Sequence, residues 1–108
     1  ESLVVHADAQ VVTLGESASV ISLTDPGDPD RDVAARVVCL EPGAALELPV
    51  EAYDQSMFLS SGAVLCEVDD QRFEMHNFCD TVCVRGGQAR RLVNSGTESA
   101  TVVISEAR

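Results

Sequence analysis

No apolar stretch of this 108-residue chain runs far before a Gly, a Pro or an acidic pair interrupts it. That punctuation restricts the fold more than any other feature. An amphipathic helix needs roughly 10–12 uninterrupted residues of 3.6-residue period. Most runs here are shorter, rich in Val, Ile and Thr, and bounded by turn residues, the pattern of β-strands. Leu3 to Leu14 and Ser17 to Thr24 read as two strands joined at Leu14-Gly15-Glu16. Further strands are expected at Ala35–Leu40, Leu46–Glu51, Ser56–Leu59, Ala63–Val68, Gln71–Met75, Thr81–Val84, Ala89–Val93 and Ala100–Ser105. Asp69-Asp70 marks a tight hairpin and Asn94-Ser95-Gly96 a further turn. Only Ala52–Met57 could hold a helical turn. Ten short strands with no linker, low-complexity tract or repeat predict one all-β domain spanning 1–108, a sandwich or barrel.

Charge removes several function classes. Eighteen acidic against seven basic side chains give a formal charge of −11, which repels phosphate backbones and anionic lipid surfaces. Neither nucleic acid nor a membrane is an expected partner, and no run approaches the ~18–20 apolar residues of a membrane span. The chain opens on Glu1 without a basic or apolar stretch, so no signal peptide is expected, and the missing Met reads as a trimmed start. The segment TDPGDPDRD, Thr24 to Asp32, reads as a surface loop. Its Asp28-x-Asp30-x-Asp32 spacing resembles a calcium loop, yet Val33 and Cys39 occupy the places of the required Gly and bidentate Glu. Cys39, Cys66, Cys79 and Cys83 include no C-x-x-C pair and read as buried free thiols. On one extended strand Cys79 and Cys83 would stand roughly 13 Å apart, too far for a disulfide. A reducing cytoplasm fits these thiols.

Spacing adds a more specific reading. Gly43, Pro49-x-Glu51, Gln55 and Gly62 are followed by Cys79, Arg85-x-Gly87, Arg90 and Asn94. This resembles the two motifs of the cupin superfamily: Gly, five residues, His-x-His, three or four residues, Glu, six residues, Gly; then Gly, five residues, Pro-x-Gly, two residues, His, three residues, Asn. ARVVCLEPGA, SMFLSSG and CDTVCVRGG carry the local likeness, and Asp80 keeps the family's Asp. The resemblance implies a cupin-type double-stranded β-helix or jelly-roll barrel, and by analogy a homodimer.

Every position where that family places a metal ligand is changed. Pro49 and Glu51 stand for two His, Gln55 for Glu and Arg90 for the last His; His6 and His76 fall outside the motifs. Pro has no side-chain donor and a guanidinium repels a cation, so no metal and no cofactor are expected. In the cupin register Glu51, Gln55 and Arg90 would meet at the barrel mouth beside Pro49, with Tyr53 near the rim. The expected function is a metal-free module that binds a small organic molecule there. Two alternatives stay open: a metal-independent isomerase, cyclase or lyase with Glu51 as base and Arg90 as anchor, or a structural or regulatory module whose mouth is closed by a Glu51–Arg90 ion pair.

Overall fold

Alternation of apolar and polar side chains decides which face of each strand is buried. The structure, a computed structural model, describes residues 11–13, 18–22 and 33–107. The strand expected before Val11, the acidic loop at Thr24 to Asp32 and His6 lie outside the described residues. Ten strands and no helix occur within them: β1 (Val11–Thr13), β2 (Ala18–Ser22), β3 (Val33–Leu40), β4 (Ala45–Leu48), β5 (Gln55–Ser61), β6 (Val64–Val68), β7 (Gln71–Met75), β8 (Thr81–Val84), β9 (Arg90–Val93) and β10 (Ala100–Ala107). All pairings are antiparallel, in two sheets ordered β1-β2-β3-β10-β5-β8 and β4-β9-β6-β7. This is the expected jelly-roll arrangement of two facing sheets.

The inward rows form successive layers. Val38, Val102 and Leu59 lie side by side; then come Arg36, Ile104 and Met57; then Glu106 and Gln55, with Val84 beside Gln55. The facing sheet stacks Leu46, Leu92 and Cys66 in one layer and Leu48, Arg90 and Val68 in the next. The core is therefore aliphatic through its middle and turns polar toward one end, where Gln55, Arg90 and Glu106 are buried.

Asn94 fixes how the sheets align. Just past β9 and 1% exposed, it donates from Nδ2 to the Leu40 carbonyl (3.0 Å) and the Glu98 carbonyl (2.8 Å), while its Oδ1 accepts from Gly96 N (3.0 Å). Leu40 closes β3 in one sheet and Asn94 follows β9 in the other, so these strand ends coincide. Arg36 and Arg90, set back along the same two strands, consequently share the opposite end.

Two expectations change in this region. β4 ends at Leu48 and does not run to Glu51, because Pro49 lacks the N–H that would continue the ladder. Ala52 and Tyr53 form a bend leading straight into β5, with no helical turn. The thiols also divide. Cys66 is buried and Cys39 intermediate, but Cys79 and Cys83 are exposed, Cys83 because it faces outward between the inward Val82 and Val84.

The motif frame survives for a backbone reason. Gly43, Gly62 and Gly87 have φ of 83°, 80° and 87°, the left-handed region. Cys79, standing for the family's fourth glycine, keeps φ at 70° although it carries a Cβ. Two bonds hold it there: Cys79 N donates to the Leu59 carbonyl (2.8 Å), and Leu59 N donates to the Asp80 carbonyl (2.9 Å).

We predict that Cys79→Gly stabilises the domain. The left-handed penalty of about 1–2 kcal/mol, offset in part by the freer unfolded chain, leaves a gain of roughly 0.5–1 kcal/mol. An unchanged or lower urea midpoint would show that the turn carries no strain. Asn94→Ala should cost about 3 kcal/mol by stranding two carbonyls and one N–H, a fall in Tm of roughly 10 °C or more. A thermal melt within error of wild type would remove Asn94 as the tie between sheets.

Candidate functional site

The polar end of the barrel is built by four strands. Arg36 comes from β3, Gln55 from the start of β5, Arg90 from the start of β9 and Glu106 from the end of β10. All sit on the inward parity of strands whose other inward residues are aliphatic, so the alternation that packs the core buries Gln55, Arg90 and Glu106 and leaves Arg36 partly exposed. Gln55, Arg90 and Glu106 are 3%, 4% and 5% exposed.

Their contacts define the geometry. Gln55 Nε2 donates to Glu106 Oε1 at 2.7 Å, across the register pair that β5 and β10 make. Arg36 Nη2 approaches the same oxygen at 3.8 Å. From the facing sheet Arg90 Nη2 donates to the Pro49 carbonyl. The residues that replace the first and last family histidines are thus in direct contact, through a backbone oxygen in place of a metal.

Glu51 follows on the loop after β4 and is half-buried. Its position is set by backbone. Gly87 N donates to the Glu51 carbonyl (2.7 Å) and Gly86 N to Asp54 Oδ1 (2.9 Å). Gly86 is required at this crossing, since a Cβ there would overlap the Ala52 carbonyl. The Glu51 carboxylate forms no ion pair with Arg90, so the mouth is not closed by the pair considered from sequence; Arg90 spends that hydrogen bond on Pro49. The Glu51 charge still reaches Arg90. The Arg90 guanidinium is pulled below its ordinary pKa by burial first and by the like charge of Arg36 next, with Glu51, Glu106 and Cys66 opposing the shift. Tyr53 lies on the exposed bend beyond Glu51, 44% accessible.

Of the residues singled out by sequence, the structure buries Gln55 and Arg90 in the mouth, sets Glu51 at its edge and leaves Tyr53 on the rim. Arg36 and Glu106 were missed. Strand alternation carried the signal: Arg36 shares parity with Val38 and Leu40, and Glu106 with Val102 and Ile104. The last strand was expected to end at Ser105, one residue before Glu106 and two before its end at Ala107.

Among the described residues no three His, Cys, Asp or Glu side chains come close enough to hold a metal ion. The chemistry of the four replaced positions agrees with that. The Pro49 carbonyl is engaged, Gln55 presents its amide nitrogen to Glu106, and Arg90 is a cation, which leaves Glu51 as the single carboxylate of the four; this donor set does not fit a metal. Two clefts flank the mouth. One of about 470 Å³ reaches Gln55 and Glu106 beside Ser56, Cys83 and Arg85. Another of about 360 Å³ reaches Arg90 beside Leu48, Val50 and Asp69.

No family model matches the sequence, and no curated protein matches it. Solved structures do. The Cnp3 cupin domain of Schizosaccharomyces pombe is 22% identical, with a TM-score of 0.71 over 83% of this chain and 60% of its own. A predicted oxalate decarboxylase from Thermotoga maritima matches 97% of this chain and 98% of its own at 10% identity, with a TM-score of 0.80. This chain has the cupin fold. A sugar phosphate isomerase described as from a cupin superfamily, from Silicibacter pomeroyi, is 24% identical, with a TM-score of 0.68 over 85% of this chain and 60% of its own. The chain therefore spans 60% of the length of the fission-yeast and Silicibacter structures. At these identities the likeness to cupins is one of fold, and the mouth chemistry has to be read from the residues present.

One cysteine faces into this cupin barrel. Cys66 packs beneath Arg90, and burial pushes its thiol up to about 11, with Arg90 drawing it down and Glu67 raising it further. At about pH 8 iodoacetamide should alkylate Cys79 and Cys83 in the native protein and leave Cys66 unmodified until urea unfolds it, because the thiolate is the reactive form. Peptide mass spectrometry reads the order. Labelling of Cys66 as fast as Cys79 would place it outside the core.

Proposed function

We propose that this domain binds a small organic molecule in the barrel mouth without the help of a metal, as a binding, sensing or accessory metabolic module. The carrying observation is the Arg90 side chain. It is 4% exposed, and among the described residues its Nε has no hydrogen-bond partner and its one side-chain hydrogen bond goes to the Pro49 carbonyl. A guanidinium held this way, with the charge of Arg36 against it, gains from any anionic or acceptor group that enters the mouth.

The structural neighbours support the location. An isomerase and a predicted decarboxylase share this fold, both being proteins named for acting on small molecules. The absence of a Glu51–Arg90 pair favours binding over the closed structural module. We take the domain to work as a homodimer in a reducing cytoplasm, free of nucleic acid and membrane partners.

Native mass spectrometry of protein purified without added metal or chelator tests this reading. The expected result is an organic adduct on the wild-type protein that is lost on denaturation and is missing from Arg90→Met, which keeps the length and packing of the stem but not the donors. An adduct held equally by Arg90→Met, with both proteins folded by circular dichroism, would overturn the mouth as the site. A bound transition metal would overturn metal independence.

A further inference from the structure

The outer faces of the two sheets differ in charge. Strand alternation assigns them: in β3, Val38 and Leu40 point into the core and Val37 and Cys39 outward; in β10, Val102 and Ile104 point inward and Val103 outward; in β5, Phe58 lies outward between the inward Met57 and Leu59. On the four-stranded sheet one outward row, Glu47, Arg91, Glu67 and Arg72, runs in register across all four strands and is charged at each. Arg72 and Arg91 both approach Glu67, at 3.9 and 3.8 Å. On the six-stranded sheet none of the described outward side chains is charged. Val37, Val103 and Phe58 form one register row there, surrounded by Ala, Ser, Thr and Cys.

In a chain that is 23% charged and carries a net −11, a sheet face without any charge restricts what can cover it. A charged partner seated on it would bury its own charges against Val and Phe with nothing to pair them. A second copy presents the same neutral face. Meeting there, two acidic chains keep their carboxylates at the rims and on the far sheets, where water and salt screen them over a Debye length of about 8–10 Å.

Size and symmetry suit this occupant. Val37 and Val103 are a register pair on β3 and β10, the two middle strands of the sheet, so a two-fold axis near them brings the same residues of both copies together. Six strands about 4.8 Å apart, up to eight residues long at ~3.3 Å each, spread a footprint on the order of 600 Å² once the shorter outer strands are allowed for. That reaches the lower end of specific interfaces, about 600 Å² per partner.

We propose that two copies of this chain pair through the outer face of the six-stranded sheet, with Val37, Val103 and Phe58 at the centre of the contact and β8 at its rim. This rests on the homodimer part of the reading above, gives it a surface, and is independent of what the mouth binds.

Sedimentation velocity of wild type, Val103→Glu and Glu47→Lys from about 1 to 200 µM tests it. Wild type and Glu47→Lys, a charge change on the other sheet, are expected to dimerise within about threefold of each other. Val103→Glu sets one carboxylate of each copy in the contact, and is expected to weaken the dimer at least about a hundredfold while keeping the wild-type circular dichroism. Wild-type protein gives a second measurement that needs no substitution. Cys39 stands outward on β3 within the face and Cys79 in an exposed turn outside it, so the ratio of Cys39 to Cys79 alkylation by iodoacetamide should fall as concentration rises through dimerisation. A wild type that stays monomeric overturns the face and the homodimer together. A dimer untouched by Val103→Glu, or weakened as much by Glu47→Lys, overturns the face alone, and so does an alkylation ratio that ignores concentration in a protein that dimerises. If Val103→Glu does not fold, the alkylation ratio decides.

Discussion

Burying the Arg90 guanidinium sets the terms for the polar end of this barrel. A cation removed from water needs opposite charge or several good acceptors to offset its lost hydration. Arg90 has one backbone carbonyl from Pro49, a like charge in Arg36, and more distant negative groups in Glu51 and Glu106. The rest of the mouth follows from that imbalance. Glu106 accepts from Gln55 and lies beside Arg36, and its charge opposes the Arg90 shift less than Glu51 does. Pro49 ends β4 and turns its carbonyl inward, which makes a residue with no side-chain donor or acceptor a working part of the site.

The architecture was largely legible in the sequence because it depends on short-range rules. Turn residues mark where strands stop, and β-branched runs of alternating polarity fill the intervals. β7 and β8 fall on the expected residues, and most other strands differ at their ends by one to a few positions. Where reading failed, a local rule met a tertiary one. Leu46–Glu51 looked extended throughout, but the missing N–H at Pro49 ends the ladder at Leu48. Cys79 and Cys83 looked like core thiols; one lies in a left-handed turn and the other on an outward face.

The site was legible only in part. Spacing located Gln55, Glu51 and Arg90, since the turn glycines fix how far each lies from the barrel end. Arg36 and Glu106 belong to no motif. They matter because β3 and β10 pair over their full lengths and carry their inward rows to the same end, a relation between residues about seventy positions apart that a linear reading does not reveal. The family frame and the family chemistry separate cleanly here. Four turns at the motif spacing have positive φ here while the four positions compared with metal ligands carry Pro49, Glu51, Gln55 and Arg90, and one of those turns holds Cys79 where the motif has glycine.

The crossing at Gly86 reaches further than its contact with Ala52. The loop carrying Pro49 and Glu51 and the loop leading into Arg90 are latched by backbone and Asp54 hydrogen bonds rather than by long side chains. Their ordering entropy is lost once, during folding, and is not charged again to each binding event. On the proposed binding reading, an entrance stiffened in this way would select by shape as well as by polarity, with little means of widening for larger molecules.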